Sequence, residues 1–118
     1  MTAPNVVNVA NITGKMAMAN LSTVAANLIT NSSGSNTLVK INQVTVSNTT
    51  GTAVSCYISV LRSSVNYYVA ANVSVPGASS MAVVGKDTML YLEEGDVLQA
   101  NATANSSAQV TSSYEIIS

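Results

Sequence analysis

The sequence contains no histidine, tryptophan or phenylalanine, and it has a single cysteine. Without histidine, the chain has neither a Ser-His-Asp nor a Cys-His nucleophile, and it lacks the commonest ligand of zinc and copper sites. No glycine-rich phosphate loop or dinucleotide fingerprint is present. A Ser–Lys pair would be the remaining nucleophile, but no pattern in the sequence favours one. We therefore expect a protein that is not an enzyme and that binds no metal or other cofactor.

Charged side chains are also scarce. They make up 8% of the residues, with a net charge of −1, whereas about a quarter is usual. The four cations are scattered at Lys15, Lys40, Arg62 and Lys86, so the basic patch expected of a nucleic-acid-binding protein is missing. No apolar run approaches the length of a membrane span, and the first nine residues do not resemble a signal peptide. We expect no nucleic acid or membrane partner, and synthesis in a cytosol.

Neutral polar residues and small apolar residues dominate the chain instead. It has 17 Ser, 12 Thr and 13 Asn, while 47% of its 118 residues are hydrophobic. This composition can fill the core of one domain and is not that of a disordered chain. Seven Asn-x-Ser/Thr sequons arise by chance in so polar a sequence, and we expect them to carry no glycans. They begin at Asn11, Asn20, Asn31, Asn48, Asn72, Asn101 and Asn105.

Apolar residues recur with period two, which is typical of strands with one buried face. In Val54–Val60 the apolar residues alternate with Ser55, Tyr57 and Ser59, and the apolar face comprises Val54, Cys56, Ile58 and Val60. This pattern predicts that Cys56 is a buried, inert thiol. The next strand is predicted to end at Pro76-Gly77. Its buried face would comprise Tyr67, Val69, Ala71, Val73 and Val75.

Other segments extend this pattern. Leu38–Val46 is predicted to be a strand with a bulge near Asn42-Gln43, because its alternation changes phase there. The turn-forming residues after it predict an antiparallel hairpin with Val54–Leu61. Later strands are predicted at Ser80–Val84, Met89–Glu93, Val97–Ala104 and Gln109–Ile117. The first thirty residues favour strands at Val6–Ile12, Lys15–Asn20 and Thr23–Thr30, with one helical face (Met18, Leu21, Ala25, Leu28, Ile29) as the alternative.

About eight to ten short strands without a clear helix predict an all-β fold, an antiparallel β-sandwich of the jelly-roll type. We divide the chain into an extended N-terminal arm, residues 1–12, and a single sandwich domain, residues 13–118. The arm carries Val6, Val7 and Val9, and we expect it to pack on a neighbouring subunit by strand addition. Few charges guard the sheet edges, which also predicts homo-oligomerisation.

Two groups of residues are candidates for function. Glu93, Glu94 and Asp96 place three carboxylates within four residues, and we interpret them as a tight, solvated turn with Gly95 at positive φ. A weak cation site or a subunit contact is the alternative, and acid–base catalysis is less favoured because no cleft is predicted. Tyr57 and Tyr68 lie on the predicted polar faces of their strands. They are either ordinary surface residues or interface anchors, whereas Tyr67, Tyr91 and Tyr114 are predicted core.

Over roughly Ile12 to Ser118, the chain resembles small β-sandwich virion proteins of tailed phages, especially those of marine and cyanobacterial hosts. The resemblance rests on residues 7–53 and 73–118. The more specific part is "YLEEGDVL" at 91–98 followed by the terminal "SYEIIS". The resemblance implies a structural virion protein without catalytic residues, with a capsid decoration (cement) role on the major capsid protein as first choice. A tail, neck or fibre module that binds a host glycan is the alternative. A topological likeness to tumour-necrosis-factor and C1q domains implies no receptor binding, because their aromatic-rich trimer core is missing.

Overall fold

The computed structural model describes residues 11–85, 90–104 and 108–118. Within these ranges the chain forms nine β-strands and no helix. The first thirty residues therefore contribute strands rather than the alternative helix, as far as they are described. In chain order the strands are β1 (Ile12–Asn20), β2 (Ala26–Thr30), β3 (Leu38–Asn48), β4 (Val54–Arg62), β5 (Val65–Val75), β6 (Ser80–Val84), β7 (Leu90–Leu92), β8 (Val97–Ala102) and β9 (Ala108–Ile117).

The strands form two antiparallel sheets that pack face to face. The first sheet has the order β1-β9-β3-β6, with β7 also paired to β3, and the second has the order β2-β8-β4-β5. The predicted antiparallel β-sandwich is therefore confirmed, while its assignment to the jelly-roll type stays a prediction. The edges of the first sheet are β1 on one side and β6 with β7 on the other, and the edges of the second are β2 and β5.

Aliphatic side chains from both sheets fill the space between them. Strand β3 contributes Val39, Ile41, Val44 and Val46, which are all buried, and the predicted bulge is confirmed by a register shift between Ile41 and Gln43. The second sheet contributes, among others, Cys56, Ile58, Leu98 and Ala100. Cys56 is fully buried, which confirms its predicted burial, and burial raises the pKa of its thiol.

The predicted hairpin between β3 and β4 is wrong. These strands belong to different sheets, with β3 bonded to β9, β6 and β7, and β4 bonded to β5 and β8. The turn-forming residues between them carry the chain from one sheet to the other. Period-two alternation identifies a strand with one buried face, but it does not identify the strand that lies beside it. The hairpin in this region is instead β4–β5, closed by Ser63 and Ser64 with φ of 52° and 64°.

Strand β5 departs from the regular alternation that its sequence predicts. Its register with β4 shifts twice, between Cys56 and Ile58 and between Ile58 and Ser59. Asn72 adopts a positive φ of 55°, as a bulged strand allows. Val75 is buried as predicted, but Ala70 is the other buried residue and Val69 is exposed. The prediction that Tyr67 and Ala71 are buried is also wrong, since both are exposed.

Two buried asparagines bind the loops at opposite ends of the sandwich. Asn31 Nδ2 donates to the carbonyls of Thr37 and Leu92, at 3.0 and 2.9 Å. Asn48 Nδ2 donates to the carbonyls of Thr52 and Val75, at 2.7 and 3.1 Å. Each asparagine is at most 3% exposed, and it satisfies backbone carbonyls that are buried or partly buried.

The first described residue, Asn11, already belongs to the sandwich. Asn11 and Ser118 exchange backbone hydrogen bonds of 2.9 Å in both directions, and β1 begins at Ile12. Residues 1–10, which form most of the predicted arm, lie outside the described ranges. Since no helix is found in the described part of the chain, none of its segments is a helix of the length and apolarity that cross a membrane.

Candidate interaction surfaces

The acidic turn between β7 and β8 is tied to the end of β4 by Arg62. Its guanidinium donates from Nε to Asp96 Oδ1 at 2.8 Å and from Nη2 to Asp96 Oδ2 at 2.5 Å. The same Nη2 lies 2.9 Å from Glu93 Oε2. The backbone N–H of Glu93 also donates to Asp96 Oδ2, at 2.8 Å. Asp96 is therefore a buried carboxylate with at least three donors, so the interpretation that the carboxylates of this turn are solvated is wrong for Asp96, whereas Glu93 is exposed.

These contacts decide the ionisation of the pair. Asp96 is only 1% exposed. This burial is the largest single influence on the pKa of Asp96, and it raises that pKa. The hydrogen bonds from Arg62 and from the Glu93 N–H, together with the charge of Arg62, outweigh it and hold the pKa of Asp96 below its usual value. The hydrogen bond and charge of Asp96 raise the pKa of Arg62 in turn. Both groups are charged at neutral pH.

The remaining features of this turn are structural as well. Gly95 has a φ of 91°, as predicted, and its N–H donates to the Asn31 carbonyl at 2.7 Å. Glu94 Oε2 accepts from the backbone N–H of Asn36 at 2.6 Å. A cation between Glu93 and Asp96 would have to displace the Arg62 guanidinium. No metal-binding group of three or more His, Cys, Asp or Glu side chains occurs in the described ranges.

Strand β5 exposes a run of large apolar side chains, which we call the β5 patch and define as Val65, Tyr67, Tyr68 and Val69. The exposed fractions of the two tyrosines are 59% and 57%. Tyr68 meets Tyr57 of β4 edge to face, with ring centroids 6.0 Å apart and an interplanar angle of 64°. The structure thus brings together the two tyrosines predicted as interface anchors, although Tyr57 is half-buried.

A groove of about 320 Å³ runs beside the β5 patch. It is lined by Val60, Arg62, Tyr67 and Tyr91. The prediction that Tyr67 and Tyr91 belong to the core is wrong, since Tyr91 is 46% exposed, whereas Tyr114 does pack against the core. Tyr67 lies opposite Val60 in the β4–β5 register, but the core ends before it. Alternation alone does not show where along a strand the facing sheet stops.

Strand β1 forms the second exposed apolar surface, which sequence analysis did not single out. Ile12, Met16 and Met18 are 58%, 58% and 69% exposed. They share one face of the strand because they are separated by even numbers of residues. No described strand pairs with the outer edge of β1. We call this strand, with its exposed side chains and its open backbone edge, the β1 edge.

The other predicted interface residues, Val6, Val7 and Val9, lie outside the described ranges, so their role stays a prediction. Among the described cations, Lys40 lies 3.9 Å from Glu115 and Arg62 is paired as above, while Lys15 is exposed. Comparison with known proteins adds no identification: no family model matches the chain, and no curated protein matches it significantly.

Proposed function

We propose that this chain is a non-enzymatic structural protein of a phage virion and that it decorates the capsid by binding the major capsid protein. The observation that carries the proposal is the β5 patch. Val65 and Tyr67, two residues apart, are exposed on one face of the strand, while Tyr68 is exposed on the other face beside Tyr57, and Val69 is exposed next to the register shift. Clusters of exposed apolar residues mark interaction sites on soluble proteins, and tyrosine is enriched in interfaces.

The scarcity of charge favours an apolar contact of this kind. Exposed ion pairs contribute only about 0–1 kcal/mol each and weaken with salt. Apolar burial contributes roughly 25 cal/mol per Å² before the cost of association. We therefore expect the protein to stay on its particle in molar salt. Release by moderate salt would mean that charges such as Lys15 dominate attachment.

The strand order supports the finer fold assignment as part of this proposal. With β7 set aside, four strands in the order β1-β9-β3-β6 face four in the order β2-β8-β4-β5. The chain crosses between the sheets at most of its connections, as expected of two Greek keys in a jelly roll. Capsid proteins are among the proteins that use this architecture, but a fold alone does not define a function.

The direct test is cosedimentation of the purified protein with capsids of the phage that encodes it. Tyr67→Ser should reduce the bound fraction at least about tenfold, because an interfacial aromatic anchor contributes roughly 2 kcal/mol or more. The matched control is Val24→Ser, which removes an exposed apolar side chain of the β1–β2 connection, outside both the β5 patch and the groove. Equal binding by Tyr67→Ser, Val24→Ser and the unmodified protein would contradict a decoration role through this patch.

The groove lined by Arg62, Tyr67 and Tyr91 favours a second function, that of a fibre-associated module that binds a glycan. Exposed aromatic rings beside polar groups are typical of small-ligand sites. Copy number separates the two functions, because a decoration protein covers the capsid surface in many copies and a fibre module occurs in few. Cryo-electron microscopy of the intact particle would measure it and would give the location.

A further inference from the structure

We propose that the β1 edge is a self-association surface, where β1 strands of two copies pair antiparallel about a two-fold axis at Met16. This inference deepens the assembly function proposed above and rests on it for the partner, a second copy of the chain. It starts from the contrast between β1 and the other edge strands. Edge strands invite pairing unless they are short, bulged or charged.

Every other described edge is protected in one of these ways. Strands β2 and β6 have five residues each, and β7 has three. Strand β5 is long, but its register with β4 shifts twice. Strand β1, in contrast, has nine residues in unbroken register with β9, from Ile12 opposite Ile117 to Asn20 opposite Gln109. Its single charge is Lys15.

The backbone of β1 is oriented for pairing on its open side. Asn11 exchanges hydrogen bonds with Ser118, and the Leu21 N–H donates to the Ala108 carbonyl. Since hydrogen-bonded and non-hydrogen-bonded positions alternate in an antiparallel ladder, the odd-numbered residues bond to β9. The even-numbered residues from 12 to 20 then direct their N–H and C=O groups to the open edge. The large exposed apolar side chains of the strand, Ile12, Met16 and Met18, belong to these same residues.

The side chains select the register. A two-fold axis at Met16 pairs all five even-numbered residues, with Gly14 opposite Met18 of the second copy and Ile12 opposite Asn20. A Cβ added at Gly14 would meet no atom within 4 Å, so Met18 of the second copy has space there. Lys15 faces Ala17 in this register. Moving the axis to residue 15 would place Lys15 opposite Lys15, and like charges directly opposite are destabilising.

Cysteine cross-linking tests both the surface and the register. A hydrogen-bonded antiparallel pair has Cα atoms about 5.5 Å apart, within disulfide range, so Met16→Cys should give a covalent dimer under mild oxidation. Met18→Cys is the matched control. Its two copies would lie about 13 Å apart, at roughly 3.3 Å per residue over four residues, and should not cross-link. The buried Cys56 does not interfere.

The reversible dimer is measured by sedimentation equilibrium of the full chain. Met16→Lys places two charges across the two-fold axis and should raise the dissociation constant at least about tenfold. Ala82→Lys, which adds the same charge at an exposed position of the opposite edge strand β6, should leave it unchanged. A monomeric unmodified protein, equal effects of the two variants, or faster cross-linking of Met18→Cys would each overturn the inference.

Two further results separate this inference from the proposed function. Deleting residues 1–10 should leave the dimer intact, and loss of the dimer would identify the arm as the occupant of the β1 edge and overturn the inference. A dimer with the expected cross-link that fails to bind capsids would leave the inference in place and contradict the decoration role. Capsid binding by a chain that never dimerises would support the decoration role and overturn the inference.

Discussion

Arg62→Met removes the donors of the buried Asp96 carboxylate and keeps most of the apolar stem of the side chain. The variant loses hydrogen bonds of 2.8 and 2.5 Å and keeps, among the described donors, the Glu93 N–H at 2.8 Å. Hydrogen bonds to charged groups contribute about 1.5–3 kcal/mol, and breaking a fully buried pair costs about 3–5 kcal/mol. Because the Arg62 side chain is 48% exposed, water partly replaces it. We expect the free energy of unfolding to fall by about 2–3 kcal/mol at pH 7.

The direction of the pKa shift of Asp96 determines how this loss of stability depends on pH. The pKa of Asp96 is lowered in the folded protein, so its contribution is fully present above the unfolded value of about 3.9. The contribution is lost as the pH falls through the lower, folded value. In Arg62→Met, burial without the arginine raises the pKa of Asp96, and protonation then relieves the destabilisation. The difference between the two proteins should therefore shrink as the pH is lowered from 7 to about 3.

The measurement is urea unfolding followed by circular dichroism across this pH range. Lys40→Met is the matched control, because its partner Glu115 lies 3.9 Å away and both side chains remain partly in water, at 27% and 35% exposed, and it should cost no more than about 1 kcal/mol. Asp96→Asn in the Arg62→Met background should recover part of the loss, since it removes the unpaired charge. An unfolding free energy of Arg62→Met equal to that of Lys40→Met, or a pH-independent difference, would refute the reasoning.

Four further outcomes are expected. Ser112→Ala should stabilise the fold by about 0.5–2 kcal/mol in urea unfolding, because the Ser112 hydroxyl is buried without a hydrogen-bond partner among the described residues; a loss of stability would contradict this. Replacing Ser63-Ser64 by Asn-Gly should raise the unfolding free energy by about 1 kcal/mol, since both positions have positive φ. Cys56 should react slowly with a thiol reagent until the protein unfolds, and fast native labelling would contradict its burial. Deletion of residues 1–10 should weaken capsid cosedimentation without changing the circular dichroism spectrum, and unchanged binding would remove the arm from the assembly.

Local patterns predicted the strands well because alternation depends on neighbouring residues. The bulge near Asn42-Gln43 was visible as a change of phase between Ile41 and Val44, and the register shift lies there. The positive φ of Gly95 followed from its place in a turn. Alternation does not show which strands pair with each other, so the β3–β4 hairpin was predicted in place of the β4–β5 hairpin.

The candidate surfaces could not be predicted from the sequence, because they depend on contacts between residues that are distant in the sequence. Arg62 and Asp96 are 34 residues apart, and nothing near either residue indicates the other. Tyr67 follows the predicted alternation but lies beyond the end of the core, where alternation does not imply burial. Few edge charges indicated in general that a partner is needed, but the identity of the open edge followed only from the sheet order.

N-glycosylation of the two buried asparagines would disrupt the fold, which limits the choice of expression host for these experiments. Asn31 and Asn48 both begin sequons, and each amide nitrogen donates to two backbone carbonyls. A sugar attached to that nitrogen during translocation would leave it a single N–H and would not fit a site at most 3% exposed. A chain secreted through a eukaryotic endoplasmic reticulum would thus be modified at the two positions that hold its loops together. Bacterial cytoplasmic expression avoids this, and for a secretory host Ser33→Ala removes the first of the two sequons without altering Asn31 itself.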